Sequence, residues 1–174
     1  MISATQAPTI AVRALARLVA STARFQQLVG AQGATAAELE AAALGHVYWD
    51  EAEDRTHDDN AESDQPRPRA IIVDDEYGRT KVGSGHWTTG ASLMLTLEAD
   101  QPQSIAGGQA SDLRDRADWW SECWGAILNQ MEVNLETDPS SYLNMTRYQR
   151  LGAGEVREVE PDPYYEACFQ ITWF

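Results

Sequence analysis

The feature that most constrains the fold is a long amphipathic pattern in residues 113–131. Apolar residues recur there at intervals of four, three, four, three and four, which is the spacing of one face of an α-helix. This stripe consists of Leu113, Ala117, Trp120, Trp124, Ile127 and Met131. The pattern predicts a long helix, capped by Ser111, whose two tryptophans belong to the core.

A hairpin is predicted before this helix. Residues 69–73 are rich in β-branched side chains and are expected to form a strand that ends at the acidic residues 74–76, with a turn at Tyr77 and Gly78. Apolar leucines alternate with other residues in the second half of residues 84–97, the period of a half-buried strand. We therefore expect residues 84–97 to pair with the preceding strand.

The remaining elements complete a mixed order of helices and strands. Helices are predicted at residues 9–29 and 34–44, an extended run at 46–49, and strands at 142–151 and 164–174. Strand runs separated by one long helix, without strict strand-helix alternation, favour an α+β fold. We expect one domain over 1–174: a small, mostly antiparallel sheet with an N-terminal helix and one long central helix packed against it.

The most acidic segment follows the extended run. Residues 50–64 hold eight acidic side chains against one arginine, in a chain of formal net charge −14. This segment contains no glycine, which argues against a calcium loop, and His46, His57 and His86 are too scattered for a zinc site. We therefore predict a mobile acidic loop at 50–66 without a metal. Its candidate functional residues are Asp50, Glu51, Glu53, Asp54, Asp58 and Asp59.

Charge and motifs argue against several classes of function. An acidic chain with a single lysine and no basic cluster is poorly suited to gripping nucleic-acid phosphates. Cys123 and Cys168 lack metal or redox spacing and are predicted to be buried free thiols. Residues 83–86 and 152–155 lack the spacing of a nucleophile elbow or a dinucleotide loop. We predict no catalytic, cofactor-binding or metal residue, and hence no enzyme.

Two tryptophans stand apart from the core pattern. Trp49 and Trp87 lie near the ends of predicted strands and are candidates for an interface. The sequence shows neither a signal peptide nor an apolar run long enough to span a membrane. It predicts synthesis in the cytoplasm and no membrane partner.

Several segments together resemble a known family. They are FQQLVG at 25–30, RPRAII at 67–72, GASLMLTLE at 90–98, WGAI at 124–127 and YYEACFQITW at 164–173. In these segments and in its order of elements, the chain is similar to the tail-completion or tail-terminator proteins of long-tailed bacteriophages and prophages. The acidic insertion at 50–66 departs from the plainest members of that family.

The resemblance implies a structural virion protein of the tail or neck. Such proteins form homohexameric rings that cap the tail tube, meet a head-tail connector protein and let DNA pass without binding it specifically. It implies no cofactor and no catalytic residue. Two alternatives stay open: another neck or tail component, such as a head-completion, tail-tube or baseplate subunit, and a non-phage module that binds a ligand or peptide through Trp49 and Trp87.

Overall fold

The computed structural model describes residues 7–50, 66–82, 86–100, 104–105, 108–109, 113–138, 142, 147–150, 155–157 and 164–173. The described helices are α1 (Ala7–Ala20), α2 (Ala23–Leu28), α3 (Ala36–Leu44) and α4 (Leu113–Thr137). The described strands are β1 (Val47–Asp50), β2 (Arg69–Val82), β3 (His86–Asp100), β4 (Ser104–Ile105), β5 (Gly108–Gln109), β6 (Arg147–Arg150), β7 (Glu155–Arg157) and β8 (Tyr164–Trp173). The predicted α+β class is confirmed.

Six of these strands form one sheet. Its order is β1-β2-β3-β8-β6, and β7 pairs with β8 as well. Strand β1 runs parallel to β2, while the other pairs of this sheet are antiparallel. The sheet is therefore mostly antiparallel, as predicted, but mixed. Strands β4 and β5 form a separate short pair.

The hairpin of β2 and β3 is longer than predicted. The expected turn at Tyr77 and Gly78 is wrong, because β2 continues to Val82 and Gly78 lies opposite Gly90. The register shifts between Asp74 and Glu76, which is how a β-bulge accommodates an extra residue without ending a strand. The acidic residues that suggested a strand end therefore lie inside a continuous strand.

One face of the sheet carries the core. Every second residue of β3 from Leu93 to Leu97 is a leucine that belongs to the core, and aromatic and aliphatic residues of β8 lie beside these leucines in register. The strand residues of this core are Ala70, Ile72, Leu93, Leu95, Leu97, Ala99, Tyr165, Ala167, Phe169 and Ile171. Alternate residues of β8, namely Tyr165, Ala167, Phe169 and Ile171, thus share one buried face.

Helix α4 packs its tryptophans on this face. Trp120 is 1% exposed and stacks on Tyr165 with ring centroids 5.8 Å apart, while Trp124 meets Phe169 at 5.6 Å. Of the predicted stripe, Trp120, Ile127 and Met131 are buried, Trp124 is half-buried and Ala117 is exposed. Among the described side chains, the buried face of α4 therefore begins at Trp120, and it also includes Cys123 and Leu128.

The predicted helix at 9–29 is two helices. Helix α1 ends at Ala20 and α2 begins at Ala23. At the break, the amide of Ala23 donates to Oε1 of Gln130 at 2.8 Å, and Nδ2 of Asn134 donates to Oγ of Ser21 at 2.9 Å. Both partners lie on α4, more than 100 residues away in sequence. Because side chains of α4 satisfy polar groups at the break, the chain can bend there.

The other boundaries are close to those predicted, with one exception. Helix α3 begins with a capping box, in which Thr35 accepts from the amide of Glu38 and the Glu38 carboxylate accepts from the amide of Thr35. The strand predicted at 142–151 is described as a strand only at β6, since Tyr142 lies in a helical turn. Tyr142 belongs to the core instead.

Candidate functional site

The predicted acidic loop lies largely outside the described residues. Asp50 is the last residue of β1, and its backbone pairs with Val73 in register. Glu51, Glu53, Asp54, Asp58 and Asp59 lie outside the described part of the chain. The mobility and role of this loop therefore stay predictions.

The two candidate interface tryptophans lie far apart. Trp49 is opposite Ile72 in β1, and Trp87 is opposite Lys81 in β3. Ile72 and Lys81 are nine positions apart on β2, or roughly 30 Å at the rise of a strand. The structure therefore does not bring the tryptophans into one binding site.

Trp49 lies at an open sheet edge. Within the described chain, β1 pairs with β2 on one side and with no strand on the other. The Trp49 side chain is 40% exposed, an unusually large apolar surface for an edge strand of four residues. An edge with unpaired backbone groups and an exposed aromatic ring is suited to contact with another chain.

A hairpin arm extends beyond the rest of the sheet. We define the arm as the described residues 78–82 of β2 and 86–90 of β3, which pair with one another. Strand β8 pairs with β3 only from Ala91 to Asp100, so the paired positions from Gly78 and Gly90 to Val82 and His86 have no described third strand. Five paired positions correspond to about 17 Å of strand. The sequence pattern missed the arm because the predicted turn would have cut it off.

The outer surface of α4 is acidic and carries an exposed apolar residue. From Asp118 to Thr137 the helix has four carboxylates and no lysine or arginine. All four carboxylates, Asp118, Glu122, Glu132 and Glu136, are on exposed residues, and Val133 among them is 57% exposed. We call these five residues the acidic helix face. The prediction from sequence missed Val133. Its position off the apolar stripe could have identified it as an exposed apolar residue.

The sheet surface opposite the helices carries polar rows across its strands. In the central row, Arg69, Glu98 and Glu166 are adjacent in register. Two guanidinium nitrogens of Arg69, Nε and Nη2, each lie 2.7 Å from Oε2 of Glu98, and both side chains are less than 10% exposed. A charge-assisted, buried pair of this kind fixes the relative position of β2 and β3.

The next row of that surface is more exposed. Nε of Arg67 donates to Oδ1 of Asp100 at 2.9 Å, and the guanidinium carbon of Arg67 lies 4.2 Å from the ring centroid of Tyr164. The Arg67 cation thus contacts both an anion and the face of an aromatic ring. The row links the three central strands at one end of the sheet.

The two thiols show no pairing with a histidine among the described residues. Both cysteines are free; Cys123 is buried, as predicted, but Cys168 is only half-buried. Burial raises the pKa of the Cys123 thiol, which makes it a poor nucleophile. The Cys168 thiol contacts Oγ1 of Thr96 and Oε1 of Glu166 at 3.5 Å.

The described part of the chain holds no candidate metal centre. There, no three histidine, cysteine, aspartate or glutamate residues come together as metal ligands. None of the described helices combines the length and apolar character required to cross a bilayer.

Comparison with known proteins adds no family to these observations. No protein-family model matches the chain. No curated protein matches it significantly either.

Proposed function

We propose that this chain is a structural assembly subunit of a bacteriophage tail or neck, and specifically a tail terminator that forms a ring on the tail tube. The observation that carries the proposal is the arm, which extends about 17 Å past the third strand of its sheet. The arm pairs with no third strand among the described residues, so its backbone edges are suited to a neighbouring chain.

Two exposed apolar side chains support self-association. Trp49 on β1 and Val133 on α4 are the exposed large hydrophobic residues of the described chain, and they lie on different elements. A ring requires two different surfaces on each subunit, because each subunit contacts one neighbour on each side. Separate patches on β1, the arm and α4 meet this requirement.

The proposed ring joins two partners and admits DNA. It caps the tail-tube protein on one side and meets a head-tail connector protein on the other. With a net charge of −14 on each chain, the assembled ring repels phosphates and lets DNA pass without binding it. Screening limits this repulsion to about 8 Å at physiological salt, so the acidic segment beginning at Asp50 acts only if it lies near the bore.

Light scattering after size-exclusion chromatography tests the assembly. One chain has a mass of 19.3 kDa, so a ring of six has a mass of about 116 kDa. A matched variant replaces residues 79–89 by the two-residue turn Asn-Gly, which closes a hairpin from Gly78 to Gly90 and leaves the β3-β8 pairing in place. The full chain should assemble and the shortened chain should stay monomeric with an unchanged circular dichroism spectrum. A full chain that stays at 19.3 kDa, alone and with the tube protein, would contradict the proposal.

A second experiment addresses DNA passage. Exchange of Asp50, Glu51, Glu53, Asp54, Asp58 and Asp59 for their amides should leave assembly intact and slow DNA ejection in the phage that carries the gene. The shortened-arm variant provides the comparison for lost assembly. Unchanged infectivity of the amide variant would refute a role for this charge.

A peptide-binding module is the second candidate function. The open edge of β1 with Trp49 exposed is the observation in its favour, because an extended peptide can add a strand to such an edge. This function needs no oligomer. A monomer that keeps its ligand after removal of the arm but loses it in Trp49→Ser would favour the module over the ring.

A further inference from the structure

The arm is a positively charged element in a strongly negative chain. Residues 78–90 contain Arg79 and Lys81 and no aspartate or glutamate, which gives the arm a formal charge of +2. The chain as a whole carries −14, so the residues outside the arm carry −16. Lys81, at the arm position opposite Trp87, is also the single lysine of the sequence.

Two carboxylates of the acidic helix face lie near the C-terminus of α4, where the helix dipole disfavours negative charge. Glu132 and Glu136 lie in the last two turns of α4, and the last turn contains no basic residue. Carboxylates near a helix C-terminus interact unfavourably with the helix dipole, whereas lysines there are favourable. These glutamates therefore do not serve the stability of their own helix.

The same face has the composition of a contact surface. Val133 lies three positions before Glu136, so its exposed side chain neighbours that carboxylate on the helix surface. An exposed apolar residue beside polar ones is an arrangement found in protein interfaces. The opposite face of α4 already packs against the sheet through Trp120 and Trp124, which contact Tyr165 and Phe169.

We infer that the arm of one subunit docks on the acidic helix face of a second copy of this chain. This inference deepens the proposed function and rests on the self-association proposed there. We infer a second copy as the partner because the chain itself supplies both charges. The arm has a formal charge of +2, and the acidic helix face has four carboxylates and no lysine or arginine. The arm and the helix face are different surfaces, so their contact is head-to-tail, the type that forms a ring when the rotation between subunits closes.

Charge reversal tests this contact without altering the core. The arm variant is R79E/K81E, and the face variant is E132K/E136K, whose lysines suit the C-terminal end of α4. A third variant combines all four substitutions in one chain and has the wild-type net charge. Arg13→Glu, at an exposed position of α1, is the control for added negative charge outside the contact.

The inference gives a defined pattern of masses in light scattering. The arm variant and the face variant should each lose at least tenfold in association, while Arg13→Glu assembles like the wild type. The combined variant should assemble, and so should an equimolar mixture of the arm and face variants, because reversed arms then meet reversed faces in an alternating ring. Association of the wild type should weaken from 0.15 M to about 1 M salt, as the screening length falls from about 8 to about 3 Å.

The outcomes separate this inference from the proposed function. If the wild type assembles and both reversals also assemble, the docking contact is refuted while the ring proposal stands. If each reversal dissociates but neither the mixture nor the combined variant recovers, the two surfaces do not meet, and the docking contact is again refuted. If the wild type is monomeric with and without the tube protein, both proposals fail.

Discussion

Removal of the Arg69 charge should destabilise the protein more than removal of its partner. Arg69 and Glu98 are 7% and 6% exposed at their side chains and meet at 2.7 Å. Breaking a buried pair by deleting one partner typically costs about 3–5 kcal/mol, because the other charge remains buried. In R69M, moreover, Glu98 stays adjacent to Glu166 in register, and facing like charges are unfavourable.

The magnitudes follow from this arrangement. We expect R69M to lose about 3–5 kcal/mol, which lowers the melting temperature by roughly 6–20 °C for a domain of this size. E98Q should lose less, since Arg69 keeps the amide oxygen of the glutamine as a hydrogen-bond acceptor. The double variant R69M/E98M should return to within about 1.5 kcal/mol of the wild type, because it leaves neither charge of the pair buried alone.

The assay is urea unfolding followed by tryptophan fluorescence, at one protein concentration because assembly changes apparent stability. R67M is the matched control, since the Asp100 partner of Arg67 has a side chain 59% exposed and that pair should contribute at most about 1 kcal/mol. The reasoning is refuted if R69M loses no more than R67M, or if the double variant loses as much as the two single variants together.

Three further predictions concern single positions. Gly125→Ala, in α4, should stabilise the protein by roughly 0.5–1 kcal/mol in the same assay, because the added Cβ meets no atom within 4 Å. Gly33→Ala should destabilise it, because the added Cβ would lie 2.7 Å from the Cβ of Glu38. Tyr165→Phe should leave stability unchanged or raise it by about 1 kcal/mol, because the Tyr165 hydroxyl is buried without a hydrogen-bond partner among the described residues. Burial also raises the pKa of this hydroxyl. A clear loss of stability would contradict this prediction. Glu38→Gln should lower stability at neutral pH, because backbone hydrogen bonds from Ala34 and Thr35 hold the pKa of Glu38 below its ordinary value. The unfolding curves of the variant and the wild type should converge as the pH falls through that lowered pKa. A stability difference independent of pH would contradict this prediction.

The sequence predicted those parts of the fold that depend on local periodicity. The buried face of β8, the leucines of β3 and the core position of Trp120 follow from the spacing of apolar residues alone. The capping residues of α3 are likewise close in sequence. Such features need no knowledge of what the segment packs against.

The features missed depend on contacts remote in sequence. A turn at Tyr77 and Gly78 would place Arg69 opposite His86, whereas the bulged, longer hairpin places it opposite Glu98. The buried ion pair and the arm were therefore hidden by one misplaced turn. The parallel pairing of β1 had no local signal, because no short connection can join parallel neighbours.

The candidate site was predicted only in part. Trp49 was singled out from the sequence, and the structure places it at an exposed edge. Val133 was not, since an apolar residue off the helical stripe was given no weight beside the stronger core pattern. The charge of the arm can be read from the sequence, but its projection beyond β8 requires the strand register.

The break between α1 and α2 has a consequence for the order of folding. The bonds from Gln130 and Asn134 to Ala23 and Ser21 span 107 and 113 residues of chain. During synthesis, the N-terminal segment leaves the ribosome well before α4 exists, so the break has at first only its local bonds, from the hydroxyls of Ser21 and Thr22 to the carbonyls of Leu18 and Val19. The bonds from α4 can form only when that helix docks, and closing so long a loop is a slow, high-contact-order step. The junction of α1 and α2 is therefore completed by a segment that is synthesised more than 100 residues later.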